Sequence, residues 1–259
     1  FYKCDSLKQV LIPSSVKSIG ENAFYECANL VHISVPFSIE KIGIDAFYKC
    51  DKSNILSISD RDSDSFVLYD KESTHLLINS KNAYVDPKFH EITDKIKQIS
   101  LTQSVNCIQE MGFSGCSSLT HITIPSTVIN IFSYAFNECS SLVDIKIPSS
   151  VKIIGDYAFH DCKSIIEIAI PESVKFFGCS IFEGCSSLKK INLPESIIRI
   201  TDRLFKDCIS LEYIDIPSSV RSISYDAFES CSSLKKISLP FSIDINKIVF
   251  PKDVEIVKI

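Results

Sequence analysis

Apolar residues recur along this chain with a fixed spacing of 23 residues. Phe stands at positions 113, 136, 159, 182, 205 and 228, and Phe1, Phe24 and Phe47 keep the same step. A Cys follows each of these Phe residues three positions later, and a Pro ends most of the apolar runs that come next. A fixed period of this length is typical of a solenoid, in which each repeat is one coil that cannot bury its apolar side alone. The sequence therefore predicts stacked coils over 1–50 and about 92–250, within a single domain over 1–259.

Each repeat contains a short alternating run, such as Ile-Lys-Ile at 145–147. The alternation predicts a strand with the two Ile side chains inward and the Lys outward. Pro148 ends the strand because it has no N–H to donate. Stacked coils place these strands side by side in one long parallel sheet, with the Ala-Phe pairs and Cys residues on the opposite side of the core. We expect Gly155 to permit the tight bend that follows the strand.

A column of hydroxyl residues keeps the same register. It comprises Ser15, Ser38, Ser104, Thr127, Ser150, Ser173, Ser196, Ser219 and Ser242. A hydroxyl just past a strand can bond backbone groups of its own turn, so the column predicts a repeated bond of this kind. The column also identifies a hidden repeat over 96–108 that lacks the Pro.

The repeated motif Leu-x-x-Ile-x-Ile-Pro-x-Ser-Val-x-x-Ile-Gly-x-x-Ala-Phe-x-x-Cys resembles the BspA-like class of leucine-rich repeat proteins, over nearly the whole chain outside about 51–95. The resemblance implies an α/β-type solenoid that is mostly β. It further implies a right-handed, curved superhelix with one parallel concave sheet and short turns or helical turns on the convex side. Members are typically surface proteins of bacteria and parasitic protists, and several are regarded as adhesins. The resemblance thus implies a protein-binding scaffold at the cell surface or secreted.

Residues 51–91 break the repeat. Two strand-like runs, Phe66–Tyr69 and His75–Ile78, flank a polar turn, which predicts an inserted β-hairpin. The hairpin either belongs to the scaffold or projects from it to make contacts of its own. The alternating run over 254–259 predicts one last strand that closes the sheet. Because Phe1 already lies inside a repeat, we expect the chain to be a segment of a longer one.

Three alternating carboxylates, Asp60, Asp62 and Asp64, are similar to the start of a calcium-binding loop. A complete loop requires Gly at its sixth position and Glu at its twelfth, and Ser65 and Lys71 stand there instead. The sequence therefore favours a solvated acidic turn over a calcium site.

Composition limits the classes of partner. The formal net charge of −5 gives no basic footprint, which argues against nucleic acid. An apolar content of 45% supplies enough material for a core. No apolar run reaches the ~18 residues that a membrane span needs.

Eleven cysteines raise the question of disulfides or metal. Nine of them belong to the repeat column, where a small, buried, apolar side chain is needed, so a column of thiols is favoured over bridges. The two outside the column, Cys107 and Cys179, are candidates for reactivity, with ordinary packing as the alternative. No Cys or His grouping has the spacing of a zinc site.

No catalytic motif is present. The chain contains no G-x-S-x-G, no phosphate-binding glycine loop and no H-E-x-x-H. His32 and His121 lie in separate coils and cannot share a metal or a proton relay. The sequence therefore predicts neither an enzyme nor a cofactor.

The outward strand positions are the candidate protein-binding surface, because an extended sheet is what solenoids present to partners. Basic and acidic rows alternate there, either because neighbouring rows neutralise one another or because the rows form a charge-banded binding face. In the second interpretation Tyr213 is an aromatic anchor and Ile166 an apolar contact. The candidate residues are His32, His121, Asp144, Lys146, Ile166, Glu167, Lys189, Lys190, Glu212, Tyr213, Asp215, Lys235 and Lys236.

Two functions remain open. The first is an adhesin or surface antigen that contacts host or matrix proteins through the concave sheet. The second is an intracellular scaffold in the cytoplasm, favoured by the cysteine column and by the absence of any Asn-x-Ser/Thr sequon. Resemblance places the adhesin first.

Overall fold

The computed structural model describes residues 1–13, 15–30, 32–34, 39–43, 45–50, 55–56, 66–69, 75–79, 82–83 and 93–259. These residues form a parallel β-solenoid of about 9 turns with almost no helix, which confirms the predicted repeat fold. The sequence predicted short turns or helical turns opposite the sheet, and the described coils have turns there. A short 3₁₀ helix lies at Ile245–Lys247.

The predicted strands form a first ladder, in which each coil contributes one strand. Its parallel registers place residues 23 positions apart beside each other, as in Ile122↔Ile145 and Ile168↔Ile191. With strands numbered in chain order, the first ladder contains β1 (Gln9–Leu11), β3 (His32–Ser34), β7 (His75–Asn79), β9 (Gln98–Leu101), β11 (His121–Thr123), β13 (Asp144–Lys146), β15 (Glu167–Ala169), β17 (Lys190–Asn192), β19 (Tyr213–Asp215), β21 (Lys236–Leu239) and β22 (Glu255–Lys258).

A second parallel ladder corrects the expectation of one sheet. It forms where each coil turns inward again, at the apolar pair that follows the Ser column, and its strands are two residues long. Its strands are β2 (Ser18–Ile19), β4 (Lys41–Ile42), β8 (Asn82–Ala83), β10 (Cys107–Ile108), β12 (Asn130–Ile131), β14 (Ile153–Ile154), β16 (Phe176–Phe177), β18 (Arg199–Ile200) and β20 (Ser222–Ile223). Two residues are too few to show alternation, so the strand period could not indicate them.

The inserted hairpin is part of the scaffold. Strand β6 (Phe66–Tyr69) pairs antiparallel with β7, and β5 (Ile55–Leu56) pairs antiparallel with β6. Strand β7 also pairs parallel with β9, at the 23-residue register Leu76↔Ile99. Because Leu76 and Ile78 are buried, the second hairpin strand takes the place of a coil strand in the first ladder. The aspartates at 60, 62 and 64 lie outside the described residues.

The repeated Phe side chains form two stacked columns, one from Phe1 to Phe47 and one from Phe113 to Phe250. The rings of Phe136 and Phe159 lie 5.3 Å apart at 4°, and those of Phe159 and Phe182 lie 5.8 Å apart at 4°. The column from Phe113 to Phe228 is fully buried, and Phe250 stacks on Phe228 at 5.8 Å. Aromatic burial of this extent is a large part of the stability of each coil.

The turns beside this column need left-handed backbone. A residue with positive φ precedes each repeat Cys, including Lys3 with a φ of 55° and Glu138 and Asp207 with a φ of 59°. A Gly fills the position at 115 and 184, with φ of 75° and 76°. A side chain in this region costs about 1–2 kcal/mol, which the packing of the neighbouring Phe and Cys offsets.

Gly155 has a different role from the one expected. Its φ is not positive, but a Cβ at this residue would lie 2.5 Å from the backbone nitrogen of Ser133 in the preceding coil. Gly178 makes the same close approach to Asp156. These glycines therefore permit adjacent coils to approach, and the bend itself does not require them.

The hydroxyl column bonds between coils, which corrects the expected bond within one turn. The Ser150 hydroxyl donates to the Val128 carbonyl at 2.6 Å, and the Ser173 hydroxyl to the Val151 carbonyl at 2.7 Å. Stacking in parallel register brings the carbonyl of the preceding coil within reach of each hydroxyl. Thr127 and Ser219 make the same bond, so the column ties these four coils to their preceding neighbours, whereas the Ser196 hydroxyl makes no such bond.

Candidate functional site

The first-ladder face comprises the outward side chains of β9 to β22 together with the residue that precedes each strand. Its geometry follows from alternation, since the middle residue of each strand points into the core. Asp144 and Lys146 are exposed on either side of buried Ile145, and Tyr213 and Asp215 on either side of buried Ile214. The repeat spacing therefore lines up outward residues in columns.

The structure brings most of the candidate residues together on this face. The exposed members are His121, Asp144, Lys146, Ile166, Glu167, Lys189, Lys190, Tyr213, Asp215 and Lys235, and the half-buried members are Glu212 and Lys236. His32 lies on β3, which pairs with β1, and its side chain is outside what the structure describes.

Three lysines of the first-ladder face pair with acids in an adjacent coil. Lys190 Nζ lies 3.0 Å from Glu167 Oε1, and Lys235 Nζ lies 2.7 Å from Glu212 Oε2. The hydrogen bond from Lys235 lowers the pKa of Glu212, and the same bond raises the pKa of Lys235. These contacts support the interpretation that neighbouring rows neutralise one another, although exposed pairs of this kind contribute only ~0.2–1 kcal/mol each.

The third pair involves a residue that the sequence did not single out. Lys236 Nζ lies 3.4 Å from Glu255 Oε1, because β22 pairs with β21 at the register Lys236↔Glu255. This register spans 19 residues, so the 23-residue columns could not predict it. Only the alternation of residues 254–259 indicated a strand here, and it did not indicate which residue Glu255 would pair with.

A second group on the face has no ion pair within 4 Å among the described residues. It comprises His121, Asp144, Lys146, Lys189 and Asp215. The two apolar candidates are also free to contact a partner, because Ile166 is 49% exposed and Tyr213 is 55% exposed. A partner could contact these unpaired charges and the two exposed apolar side chains without breaking an ion pair within this chain.

The repeat cysteines are thiols, and all eleven cysteines lie within the described chain. Each central thiol donates to the Phe carbonyl of the preceding coil, as from Cys139 to Phe113 and from Cys162 to Phe136, both at 3.1 Å. Burial raises the pKa of Cys116 and of Cys231 to about 12. These contacts confirm the predicted thiol column, which the inserted segment interrupts.

The two cysteines outside the column are not activated. Burial raises the pKa of both Cys107 and Cys179, so each is a neutral thiol at physiological pH. The Cys107 thiol lies 3.1 Å from Asn82 Oδ1. Ordinary packing, the alternative that the sequence left open, accounts for both positions.

Neither a metal centre nor a membrane helix is evident in the ranges that the structure describes. No three His, Cys, Asp or Glu side chains there converge in a way that could hold an ion. No helix there is long and apolar enough to cross a bilayer.

The repeats of this chain match those of a known family. A family model described as "BspA type Leucine rich repeat region (6 copies)" matches residues 1–66, 84–180 and 152–259. A comparison with curated proteins finds no match.

Several solved structures are similar. The T. pallidum leucine-rich repeat protein TpLRR is 25% identical, with a TM-score of 0.55, over 68% of this chain and 90% of its own. The pneumococcal vaccine antigen PcpA is 18% identical, with a TM-score of 0.55, over 98% of this chain and 68% of its own. A leucine rich cell surface protein from Faecalibacterium prausnitzii A2-165 is 23% identical, with a TM-score of 0.44, over 97% of this chain and 79% of its own. The first two share the fold of this chain.

Proposed function

This chain belongs to the BspA-type leucine-rich repeat family, and on that premise we propose that it is a cell-surface adhesin that binds a host or matrix protein through its first-ladder face. The role is one of binding and involves no catalysis. Family members are typically surface proteins, which supports the location. The partner is a protein because an extended, rigid sheet with outward side chains in columns suits a broad polypeptide surface.

The main support for the proposal is that two apolar or aromatic side chains are exposed among charges that have no ion pair. Ile166 and Tyr213 are each about half exposed on a face where most apolar side chains point inward. Aromatic and apolar side chains at the centre of an interface contribute most of its binding energy, and surrounding polar contacts exclude water. Asp144, Lys146 and Asp215, which have no described ion partner within 4 Å, would form that polar surround.

Location is the first test. An antibody against residues 93–259 is applied to intact and to permeabilised cells that express the native protein, with surface protease as a control. Staining of intact cells that is lost after protease treatment is the expected result. Staining only after permeabilisation would reject the adhesin.

Binding is the second test, using a panel of purified extracellular-matrix proteins on a sensor surface. Tyr213→Ala and Ile166→Ala should each weaken the strongest interaction about tenfold or more, as hot-spot truncations do. Matched controls are Tyr225→Ala and Ile209→Ala, because these side chains are 64% and 46% exposed on the turn side of the coils. Equal losses in candidates and controls would contradict a role for the first-ladder face.

An intracellular scaffold is the second candidate function, and the free thiols favour it. A chain with eleven unbridged cysteines suits a reducing compartment. The location experiment separates the two functions, since staining that requires permeabilisation supports the scaffold. Binding through the first-ladder face is common to both.

A further inference from the structure

Among the described strands the second ladder is interrupted between β4 and β8, on either side of the inserted segment, and again between β16 and β18. Strand β14 pairs with β16, and β18 pairs with β20, but β16 and β18 are not hydrogen-bonded to each other. In the flanking coils the Lys175 N–H donates to the Lys152 carbonyl at 2.8 Å, and the Arg221 N–H to the Ile198 carbonyl at 2.9 Å. The equivalent N–H of Ile198 has no backbone acceptor in the described chain.

Two side chains lie beside the opening. Phe177 occupies the inward position that Ile154 and Ile200 occupy in the neighbouring coils, and its ring centroid lies 6.3 Å from that of Phe182. The Thr201 side chain donates its hydroxyl to the Gly178 carbonyl at 2.6 Å, and the Thr201 N–H makes no ladder bond. Elsewhere the same two coils stay together, since the rings of Phe182 and Phe205 stack at 5.9 Å.

A cleft of about 300 Å³ lies at this opening. Two of its lining side chains are exposed and apolar, because Phe176 is 54% and Ile198 63% exposed. Ser196 also lines it, and its buried hydroxyl has no hydrogen-bond partner, whereas the equivalent Ser173 and Ser219 hydroxyls bond the preceding coil. The cleft therefore combines an apolar mouth with polar groups that the fold leaves unsatisfied, which is the composition of a binding pocket.

Four exposed cations lie on the outer side of the second ladder. Lys175 and Arg199 line the cleft, and Lys152 and Arg221 lie in the flanking coils, where Arg221 donates to the Ser218 carbonyl at 2.8 Å. Within the described residues none of the four has a carboxylate oxygen within 4 Å. We call the outer side of β12 to β20, with the residue before each strand, the second-ladder face.

Acids also lie at this face, and each accepts a hydrogen bond from the chain. Asp156 and Asp202 line the cleft; Asp156 accepts a bond from the Cys179 N–H at 2.8 Å, and Asp202 accepts one from the Ser224 hydroxyl at 2.6 Å. Glu195 accepts from Ser218 and Ser219, and Glu172 accepts from the Glu195 N–H at 3.2 Å. Because no described carboxylate lies within 4 Å of the four cations, these cations can pair with an external anion.

We propose that the second-ladder face binds an acidic, extended segment of a partner polypeptide, with one apolar side chain of that segment in the cleft between β16 and β18. The Ile198 N–H, which has no backbone acceptor in the described chain, is a group that recognises a peptide backbone. Carboxylates of the segment complement the four cations, which are opposite in sign to the net charge of the chain. The stacked Phe rings prevent a whole strand from entering, so the segment lies across the mouth. This site is separate from the first-ladder face.

The probe is a fluorescein-labelled ten-residue peptide of alternating Glu and Ser with one central Phe, titrated with the whole chain in a fluorescence anisotropy assay. Two matched peptides replace Glu by Lys, or the central Phe by Ser. We expect binding of the acidic Phe peptide that weakens at least tenfold between 50 mM and 500 mM salt. The Lys peptide should not bind, and the Ser peptide should bind at least fivefold more weakly.

Variants locate the site. The double change Lys175→Glu/Arg199→Glu should weaken the acidic peptide at least tenfold, and Phe176→Ser at least fivefold. Charge-matched and apolar controls are Lys95→Glu/Lys252→Glu and Phe241→Ser, which change exposed residues outside this face and should leave affinity within twofold. Thermal unfolding of each variant checks that the fold is retained.

Three outcomes would overturn the proposal. The first is no binding of the acidic peptide, and the second is binding that the Lys175/Arg199 variant and the control variant weaken equally. The third is sedimentation with vesicles containing 30% phosphatidylserine that depends on Lys175 and Arg199 while the peptide does not bind. That third result would assign the cations to a lipid surface. Tyr213→Ala should not affect peptide affinity, so failure here is distinguishable from failure of the proposed adhesin.

Discussion

The two ladders differ in how many of their cations are paired with acids, although the same 23-residue repeat builds both. On the first-ladder face Lys190, Lys235 and Lys236 each lie within 3.4 Å of an acid in an adjacent coil. On the second-ladder face Lys175 and Arg199 have no acid within 4 Å among the described residues. The repeat determines where a side chain stands, and the residue in the next coil determines whether its charge is compensated.

Both ladders are interrupted among the described strands. In the first ladder the pairing stops between β13 and β15 and between β17 and β19. In the second ladder it stops between β16 and β18, where the cleft lies. The Phe182 and Phe205 rings of the same two coils remain stacked, so a repeat protein can acquire a pocket at such an interruption without losing its core.

The largest expected effect tests whether the two faces depend on one core. Phe159→Ala should lower the free energy of unfolding by about 3–5 kcal/mol, because it leaves a cavity between Phe136 and Phe182 in the buried column. Urea denaturation followed by circular dichroism measures it. Phe241→Ala, at a side chain that is 76% exposed, should change stability by less than about 0.5 kcal/mol. A loss below 1 kcal/mol for Phe159→Ala would mean that the column does not support both ladders.

Alkaline pH should lower the free energy of unfolding of the whole solenoid, and so affect both faces, because the buried thiols ionise only in the unfolded chain. Burial raises the pKa of Cys116 and Cys231 to about 12, so these thiols stay neutral in the fold while they ionise in the unfolded chain near pH 9. The unfolded chain therefore binds fewer protons between pH 9 and 12, and stability falls as pH rises through that window. Each thiol contributes a decrease of about 1.4 kcal/mol per pH unit. Below the unfolded pKa the contribution is fully present.

The measurement is urea denaturation at several pH values from 7 to 11. The double variant Cys139→Ala/Cys162→Ala removes two thiols whose pKa values burial raises well above the ordinary value. Its stability should fall less steeply with pH than that of the unmodified chain. An identical slope in the two proteins would show that other groups, such as tyrosines and lysines, cause the alkaline loss.

The smallest expected effect separates the two faces directly. Glu167→Gln removes the partner of Lys190 on the first-ladder face and should cost about 0.2–1 kcal/mol at low salt, because both side chains are more than half exposed. In 1 M salt the difference should disappear. Lys175→Gln, on the second-ladder face, removes no ion pair and should leave thermal stability unchanged at both salt concentrations. A loss of similar size in both variants would contradict the contrast between the faces.

Much of the architecture was predictable from the sequence because the core is periodic. The Phe column, the Cys column and the inward Ile residues recur in register, so the position of Ile145 or Phe159 in one coil predicts those in the next. The outward columns followed from the same alternation, which is why residues such as Asp144 and Tyr213 were placed correctly on one surface.

Other features were not predictable because they depend on contacts between coils. The left-handed residues before the repeat cysteines are mostly not Gly, so composition did not indicate them. The pairing of Lys236 with Glu255 arises from a final coil of 19 residues. The opening between β16 and β18 is a break in backbone pairing between two coils, which the sequence of a single repeat does not reveal.

The bonds between coils also bear on how such a gene can change in length. The thiol of Cys162 reaches the carbonyl of Phe136, and the Ser173 hydroxyl reaches that of Val151, so the two linkages span 26 and 22 residues and recur in coil after coil. Unequal recombination that adds or deletes one whole period restores every linkage, wherever in the repeat the crossover falls. A change of any other length breaks the register unless, as with β7, a new strand occupies the vacant place. Lineages of this protein should therefore differ by whole coils far more often than by single residues within them.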